Sequence, residues 1–561
     1  MKNNTKIVFV TGGVLSGIGK GVTTAAIAKL LQFRGYNIRI IKIDPYLNID
    51  PGTLNPIEHG EVFVTDQTWT FTPVDGVDFI ISEIDLDFGT YERFTGMNVH
   101  PSQNITSGQI YMSVILEERK GGFLGRTVQI IPHITDRIKQ RIWDVIKKEP
   151  VPDILLVEIG GTVGDIEAMP FLEATRQLIR EVGKNQVAVV HVTLVPYVKS
   201  VGEFKTKPTQ HSVRTLQSLG LQPDIMVCRS EKSLTKSAKA KIALFCNVSE
   251  EHVISNPDIS IIYQLPLSFE EEGLGHILVD LFALEPRNPD IESWQNIVES
   301  FTTPERKIVI AMPGKYTTLG DSYKSINEAL FHAAAVHNAQ VEIKWIETEE
   351  RATETCLRED LADVDGILLT PGFGSRGVEG MICAATLALH LKIPLLGICY
   401  GAQLSTIAFA REIMGWKGAN TTEVDPDSLY PVVDLLDEQK LTEDKGGTMR
   451  LGGHEVIIKE GTRLYELYTQ HQVRERFRHR FHLIERYLSK MSEKGLIVSA
   501  YDSTNRIINA IELTNHPFWI GVQYHPEFIS RPGNPHPLYL GLIKAALEYK
   551  IERVKSGGQE S

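Results

Sequence analysis

The stretch IVFVTGGVLSGIGKGVTT, residues 7–24, decides the fold. Ile7 to Val10 make an apolar run of the kind buried in a parallel strand, glycines follow at 12, 13, 17, 19 and 21, and a helix-compatible segment begins near Thr23. Strand, glycine-rich loop and helix in that order form a phosphate cradle. Backbone N–H groups approach an oligophosphate, the helix N-terminus adds partial positive charge, and Lys20 reaches the outer phosphate oxygens. The spacing departs from G-x-x-x-x-G-K-[ST]: Gly13 lies one residue too far from Gly19, and Gly21 stands where a hydroxyl would meet Mg2+. The loop therefore reads as a P-loop variant.

Around this loop are 561 residues, enough for two or more domains. The net charge of −12 argues against a general nucleic-acid binder. MKNNTK has no signal-peptide pattern, and no apolar run approaches the ~20 residues needed to span a bilayer, so the expectation is a cytoplasmic protein without a membrane partner. Five widely spaced cysteines (Cys228, Cys246, Cys356, Cys383 and Cys399) contain no CxxC pair and read as reduced thiols.

NIRIIKID (37–44) is a second strand, with Lys42 near its C-terminal end. Ligands collect at such ends, so Lys42 is placed for a second phosphate group, or is a solvated strand-edge lysine. DPYLNIDPGTLNP (44–56) reads as an ordered loop, and 66–84 as a mixture of aromatics and turn formers. In IDLDFGTYERF (84–94), Asp85 and Asp87 alternate with apolar residues, which would put both carboxylates on one face. PDILLVEIGGTVGDIE (152–167) is a strand with Glu158 at its end and a glycine turn holding Asp165 and Glu167. A hard cation shared with substrate phosphates needs one or two protein carboxylates, and Asp87 and Glu158 are the candidates. After the strand QVAVVHVTLVPYV (186–198), the segment KTKPTQ (Lys205, Thr206, Lys207, Pro208, Thr209, Gln210) reads as a loop offering cations and hydroxyls to a triphosphate, or as a solvated basic turn. PDIMVCRS (223–230) is a further strand, Lys241 opens KIALFCNV, and Asp258 lies in another loop. Strands alternating with helical patterns imply a doubly wound parallel sheet.

TGGVLSGIGKG, KIDPYLNIDPGT, HGEVFVTD, DLDFGTYERF, VEIGGTVGDIE and KTKPTQHSV, in this order, resemble the amidoligase domain of the CTP synthase family over nearly all of residues 5–283. The resemblance implies ATP-dependent phosphorylation of the uracil 4-oxygen of UTP, then displacement of that phosphate by ammonia to give CTP, a step of pyrimidine nucleotide biosynthesis. By match, Ser16, Asp165, Ile166, Glu167, the 205–210 segment and Lys241 would contact UTP or inhibitory CTP. Gly17, Ile18, Gly19, Lys20, Gly21 and Val22 would hold ATP, with Asp258 and Ile259 near the adenine. Asp87 and Glu158 would bind Mg2+, Asp87 also serving the ATP site, and Lys42 would face the transferring phosphate. Residues 66–84 are longer and more aromatic than the family's connector and are read as a surface excursion.

PRNPDIESWQNIVESFTTPERK (286–307) has prolines at both ends and a helical middle. The expected division is an amidoligase domain over 1–283, a linker over 284–306, a second domain over 307–555 and a flexible tail over 556–561. The centre of the second domain is IPLLGICYGAQLSTIAFA (393–410), an apolar strand, a Gly397-Ile-Cys399-Tyr-Gly401 turn and a helix. This is a nucleophile elbow with cysteine in place of serine; a lone cysteine is otherwise a buried, inert one. FWIGVQYHPEF (518–528) supplies His525 as base and Glu527 as its orienter. GICYGAQ and YHPE resemble the class I glutamine amidotransferase family, which hydrolyses glutamine through a thioester and passes ammonia to a partner domain. By match, Gly372, Tyr400, Gly401, Ala402, Gln403, Glu423 and Arg480 would bind glutamine, and Arg376 would receive a GTP activation signal.

Three departures stand out. Thr370-Pro-Gly-Phe-Gly374 puts Pro371 at a glycine whose N–H helps form the family's oxyanion hole; Phe481-His-Leu-Ile484 replaces Tyr-Glu-Val-Asn; and Tyr400 replaces a smaller apolar residue. A working but slowed glutaminase is expected. Taken together, the sequence reads as α/β, two doubly wound domains, an N-terminal P-loop-like amidoligase and a C-terminal class I glutamine amidotransferase. The alternatives are an ammonia-dependent synthase with an impaired glutaminase, or a P-loop ATPase assembly switch. The resemblance further implies a homotetramer formed through the first domain, stacking into filaments.

Overall fold

The computed structural model describes residues 4–13, 15–315, 320–349, 354–436, 439 and 449–557, so the end of the expected tail, 558–561, lies outside the described residues. The chain divides into two compact units, Met1–Thr53 with Trp69–Glu299, and Leu54–Thr68 with Ser300–Ser561. Within the stretch read as a linker, the helix Glu292–Thr302 buries Trp294, whose indole N–H donates to the Tyr263 carbonyl at 2.8 Å.

In the first unit, the sheet order is Val253–Pro257, Ile225–Ser230, Val187–Leu194, Lys6–Gly12, Ile154–Ile159, Ile38–Asp44, Asn104–Thr106. Every neighbouring pair is parallel. Such strands are covered on both faces, which is why they read as near-continuous apolar runs. The strand Lys6–Gly12 lies at the centre, so its glycine loop opens where an open α/β sheet collects ligands. Gly19 takes φ +88° as the N-cap, and the helix starts at Lys20 rather than near Thr23, because the left-handed glycine turns the chain at once into the helix.

Three local expectations are corrected. Asp85 and Asp87 are not strand neighbours: the strand ends at Ile84 and a helix starts at Asp87, whose N–H donates to the Asp85 carboxylate at 2.9 Å. Residues 66–84 are not a surface excursion throughout but lie in a hairpin, Phe63–Val74 with Val77–Ile84, turning at Asp75-Gly76. Phe71 and the run Ile81–Ile84 are buried, and the Arg141 guanidinium lies 4.6 Å from the Trp69 ring and 5.5 Å from Phe71. KTKPTQ is a loop only at its start, since Lys207 opens the helix Lys207–Ser218 with Pro208 in its first turn, where proline's fixed φ suits a helix and its missing N–H costs nothing.

The second unit holds a sheet ordered Ala339–Glu347, Arg306–Gly314, Gly366–Leu369, Leu395–Ile398, Trp519–Val522, Ile508–Leu513, Leu496–Asp502, Arg450–Ile458, Gln472–His479. Its first five strands are parallel, and the rest extend it antiparallel. A small sheet of Ala419–Thr421, Tyr430–Asp434 and His482–Leu483 stands apart. Among the described residues no helix is long and apolar enough to cross a membrane.

Candidate active sites

In the first unit the side chains converge on Lys42. Its ammonium contacts the carboxylates of Asp85 at 3.3 Å, Glu158 at 3.4 Å and Asp44 at 3.9 Å, and that of Asp87 still more closely. Burial alone would lower the lysine's pKa, but Asp85, Asp87, Glu158 and Asp44 outweigh it and hold it well above its ordinary value. The same burial raises Glu158 and Asp85, and lifts Asp44 to about 8. Tyr91 donates to Glu158 at 2.6 Å and Asn104 donates to Asp44 at 2.7 Å, so both acids are held from behind. Lys20 Nζ donates to the Gly161 carbonyl at 2.6 Å, and burial lowers its pKa.

Gly21 explains the loop's odd spacing. A Cβ there would collide with the Asp87 carboxylate, so the space a P-loop hydroxyl would fill belongs to an acidic side chain from another element. Among the described residues no three His, Cys, Asp or Glu side chains form a ready metal cage. Asp87 and Glu158 would supply two hard oxygen donors of the kind Mg2+ takes alongside phosphates, so the residues present fit it.

The expected nucleotide residues divide by exposure. Ser16, Gly17, Ile166, Glu167, Lys205, Lys207 and Lys241 are exposed, whereas Ile18 and Gly21 are buried and Gly19, Val22, Pro208 and Ile259 half-buried. Asp165 is engaged by Thr162, whose N–H and hydroxyl donate to it at 2.6 and 2.8 Å. Thr206, Thr209 and Gln210 are buried; Gln210 donates to Thr206 at 3.1 Å and Thr209 to the Leu194 carbonyl at 3.1 Å. Asp258 is exposed and paired with Arg229 at 2.7 Å.

In the second unit, Cys399 sits between strand and helix at φ +52°, ψ −102°, the strained turn expected of an elbow. Gly401 is required beneath it, because a Cβ there would strike the Leu369 carbonyl. His525 Nδ1 bonds Glu527 at 2.7 Å, and both side chains are buried. The Cys399 thiol donates to the Arg478 carbonyl at 3.6 Å, and among the described residues His525 Nε2 has no hydrogen-bond acceptor or donor of its own. Burial pulls the imidazole's pKa down, but the Glu527 carboxylate and the nearby sulfur more than offset it and raise it to about 10.

The turn 372–374 is pinned from three sides. Gly374 N–H donates to Glu423 at 2.7 Å, the Tyr400 hydroxyl donates to the Gly374 carbonyl at 2.7 Å, and Lys315 Nζ donates to the Phe373 and Gly374 carbonyls at 2.6 and 3.0 Å. Burial raises Glu423 and lowers Lys315 to about 8. Among the described residues the backbone N–H groups of Gly372 and Tyr400 have no acceptor. Ala402 is buried, and Gln403 is turned inward, donating to the Phe481 carbonyl at 3.0 Å and to Gln523 at 3.3 Å. Arg480 is half-buried, and the exposed Arg376 pairs with Glu349. Sequence reasoning missed Lys315, Asp44 and Tyr91. Lys315 follows the strand Arg306–Gly314 much as Lys42 closes its own, which was the available signal.

The first part of the chain, residues 6–284, matches the family model described as CTP synthase N-terminus, and residues 318–545 match glutamine amidotransferase class-I. A CTP synthase of Caldanaerobacter subterraneus is 48% identical over 98% of this chain and 100% of its own length. The chain belongs to the CTP synthase family. A CTP synthase of Pyrococcus furiosus is 50% identical over 98% of this chain and 99% of its own. Among solved structures, the glutaminase domain of Trypanosoma brucei CTP synthase with bound acivicin is 33% identical, covers 43% of this chain and 94% of its own, and superposes with a TM-score of 0.41. The chain thus carries a CTP synthase N-terminal part followed by a class I glutamine amidotransferase part.

Proposed function

We propose that the chain makes CTP from UTP with ammonia released from glutamine, each step assigned to the residues just described. The observation that carries this reading is a cysteine elbow with a buried His–Glu pair in one unit, in the same chain as a glycine loop and a carboxylate-ringed lysine in the other.

In the second unit, Glu527 holds His525 Nδ1, which leaves Nε2 to take the Cys399 proton. The thiolate attacks the glutamine carboxamide, and charge on its oxygen falls to backbone donors. Pro371 has none, so the unpaired N–H groups of Gly372 and Tyr400 take that role. His525 protonates the leaving ammonia and then activates the water that hydrolyses the thioester to glutamate. Glu423, Arg480 and the 400–403 turn hold the substrate's amino-acid end.

In the first unit, Lys20 and the loop amides hold ATP, Lys42 meets the γ-phosphoryl group in transit, and Asp258 and Ile259 border the base. Asp87 and Glu158 would hold Mg2+, which would neutralise phosphate charge there. The uracil 4-oxygen of UTP attacks the γ-phosphorus as N3 gives up its proton and ADP leaves; ammonia then adds at C4, and phosphate departs with loss of a proton from the added nitrogen. Ser16, Asp165 to Glu167, Lys205 to Gln210 and Lys241 hold UTP or the product. GTP acting through Arg376, CTP feedback, a homotetramer with filaments and a cytoplasmic location complete the proposal.

The test is CTP formation from UTP, ATP and Mg2+, with glutamine plus GTP or with ammonium chloride as nitrogen source. Both sources should work, and Cys399→Ala should abolish only the first. Product from ammonium alone in the unaltered protein would mean that Pro371 has crippled the glutaminase. No product from either would sink the reading and favour the ATPase switch.

A further inference from the structure

The imidazole of His525 is set by more than Glu527. Its ring stacks on Phe528, with centroids 5.3 Å apart and planes 20° from parallel. Phe528 in turn receives the edge of Phe63, at 5.2 Å and 74°. Phe63 comes from Leu54–Thr68, a stretch that falls in chain order between Lys42 and Asp87 yet belongs to the glutaminase unit. Phe63 is fully buried and Phe528 nearly so.

That stretch is tied down along its length. Glu61 accepts the Ser325 N–H at 2.9 Å and the Ser325 hydroxyl more closely. Asp66 accepts Arg474 Nε at 2.7 Å. Between them, Arg476 donates to the Val64 carbonyl at 2.9 Å and sets its guanidinium 5.3 Å from the Phe63 ring. The carbonyl of this same fully buried Arg476 accepts the backbone N–H of His525 at 2.8 Å. One arginine therefore fixes the base's backbone and the aromatic edge behind its ring.

We propose that Phe63 is a positioning residue for the glutaminase base: through Phe528 it keeps the His525 ring in the plane that directs Nε2 at the Cys399 thiol. The glutaminase site is then incomplete without a stretch that lies, in sequence, inside the amidoligase half. The physical reason is that an imidazole has two faces and one hydrogen bond, at Nδ1, leaves it free to tilt about that bond. An edge-on and a stacked aromatic contact together remove the tilt, and misplacement of a reacting group by about 1 Å can cost on the order of 100-fold in rate. The inference rests on Cys399, His525 and Glu527 being the glutaminase triad.

The experiment uses the full chain and its Phe63→Leu and Phe63→Ala variants. It reads glutamine hydrolysis (kcat and KM separately), the pH profile of Cys399 alkylation by iodoacetamide, and the thermal midpoint. In Phe63→Ala, kcat should fall by about 10- to 100-fold, with KM little changed and the alkylation profile displaced along pH. Phe63→Leu, which restores bulk without the aromatic edge, should be intermediate in both readouts. The proposal is overturned if kcat and the alkylation profile of folded Phe63→Ala match the unaltered protein, or if only the thermal midpoint and the folded fraction fall. Should Phe63→Ala fail to fold, Phe63→Leu decides: a profile and kcat identical to the unaltered protein overturn the proposal. Absence of glutamine hydrolysis in the unaltered protein is a different outcome, which overturns the triad reading and this proposal with it.

Discussion

The two sites of this chain solve the problem of buried charge in opposite ways. Around Lys42, one cation meets four carboxylates, and burial raises the pKa of at least Asp44, Asp85 and Glu158. An arrangement so rich in negative charge is balanced only when cationic partners and protons join it, so this site is completed by what it binds. Around Cys399, the His525 imidazole has one carboxylate at 2.7 Å, and the turn at 372–374 is held by Lys315, Glu423 and Tyr400. That site is completed by the protein itself. Substitutions in the first should therefore be felt with any nitrogen source, and substitutions in the second with glutamine alone.

The largest expected effect is at Cys399, the proposed nucleophile. Cys399→Ala should lower glutamine-supported CTP formation by up to ~10⁶-fold, the scale seen when a catalytic nucleophile is removed. The ammonium-supported rate, measured in the same preparation, shows whether the two sites are as separate as the comparison says. Next comes Lys42→Met, which removes the ammonium that contacts the carboxylates of Asp44, Asp85, Asp87 and Glu158. Loss of one cationic side chain aimed at a moving phosphoryl costs about 10³–10⁵-fold, and the loss should be equal with both nitrogen sources. A loss with glutamine only would break the comparison.

The self-completed site also carries a pH signature. His525 is raised from about 6.5 to about 10 in the folded chain. A folded-state value above the unfolded one means that the folded chain binds the extra proton between the two. The stability gained is present in full below pH ~6.5, and lost as pH rises through ~10. The difference in thermal midpoint between the unaltered protein and His525→Gln should therefore shrink from pH 6.5 to pH 10. A difference constant over that range would show that the imidazole carries no extra proton in the fold.

What the sequence disclosed about these sites follows the same division. The glycine loop, the cysteine elbow and the His525–Glu527 pair were legible because each is local: a strand, a turn and the chemistry sit within a few consecutive residues. The burial of the hairpin over 66–84 was not, although Asp75-Gly76 flanked by valines is a hairpin signal, because its aromatic residues Trp69 and Phe71 meet a residue distant in sequence, Arg141. Asp85 and Asp87 were placed together for the wrong reason, since strand alternation was read where a helix begins. The ring of carboxylates around Lys42 joins two strands, the residue after a third and the start of a helix, and no spacing rule connects Asp44 to Glu158. Gly21 was read as a missing hydroxyl, and the fold shows that Asp87 takes its place.

Tyr400 gives the smallest and sharpest prediction. Its ring lies 3.5 Å from where a Cβ on Gly372 would stand, and its hydroxyl ties down Gly374 two residues further on. Pro371 removes a donor from this turn, so the neighbouring N–H of Gly372 is useful only while the turn keeps its present course. Tyr400→Phe deletes one hydrogen bond and leaves the ring, an alteration worth about 1 kcal/mol, or roughly fivefold in rate if all of it acts on the transition state. The expected result is a kcat for glutamine hydrolysis lower by a few-fold with KM unchanged. In a Pro371→Gly background, where a donor is restored at 371, the same substitution should matter less. If Tyr400→Phe instead raises KM alone, the hydroxyl shapes the binding of glutamine rather than the oxyanion turn, and the self-completed site depends on its substrate after all.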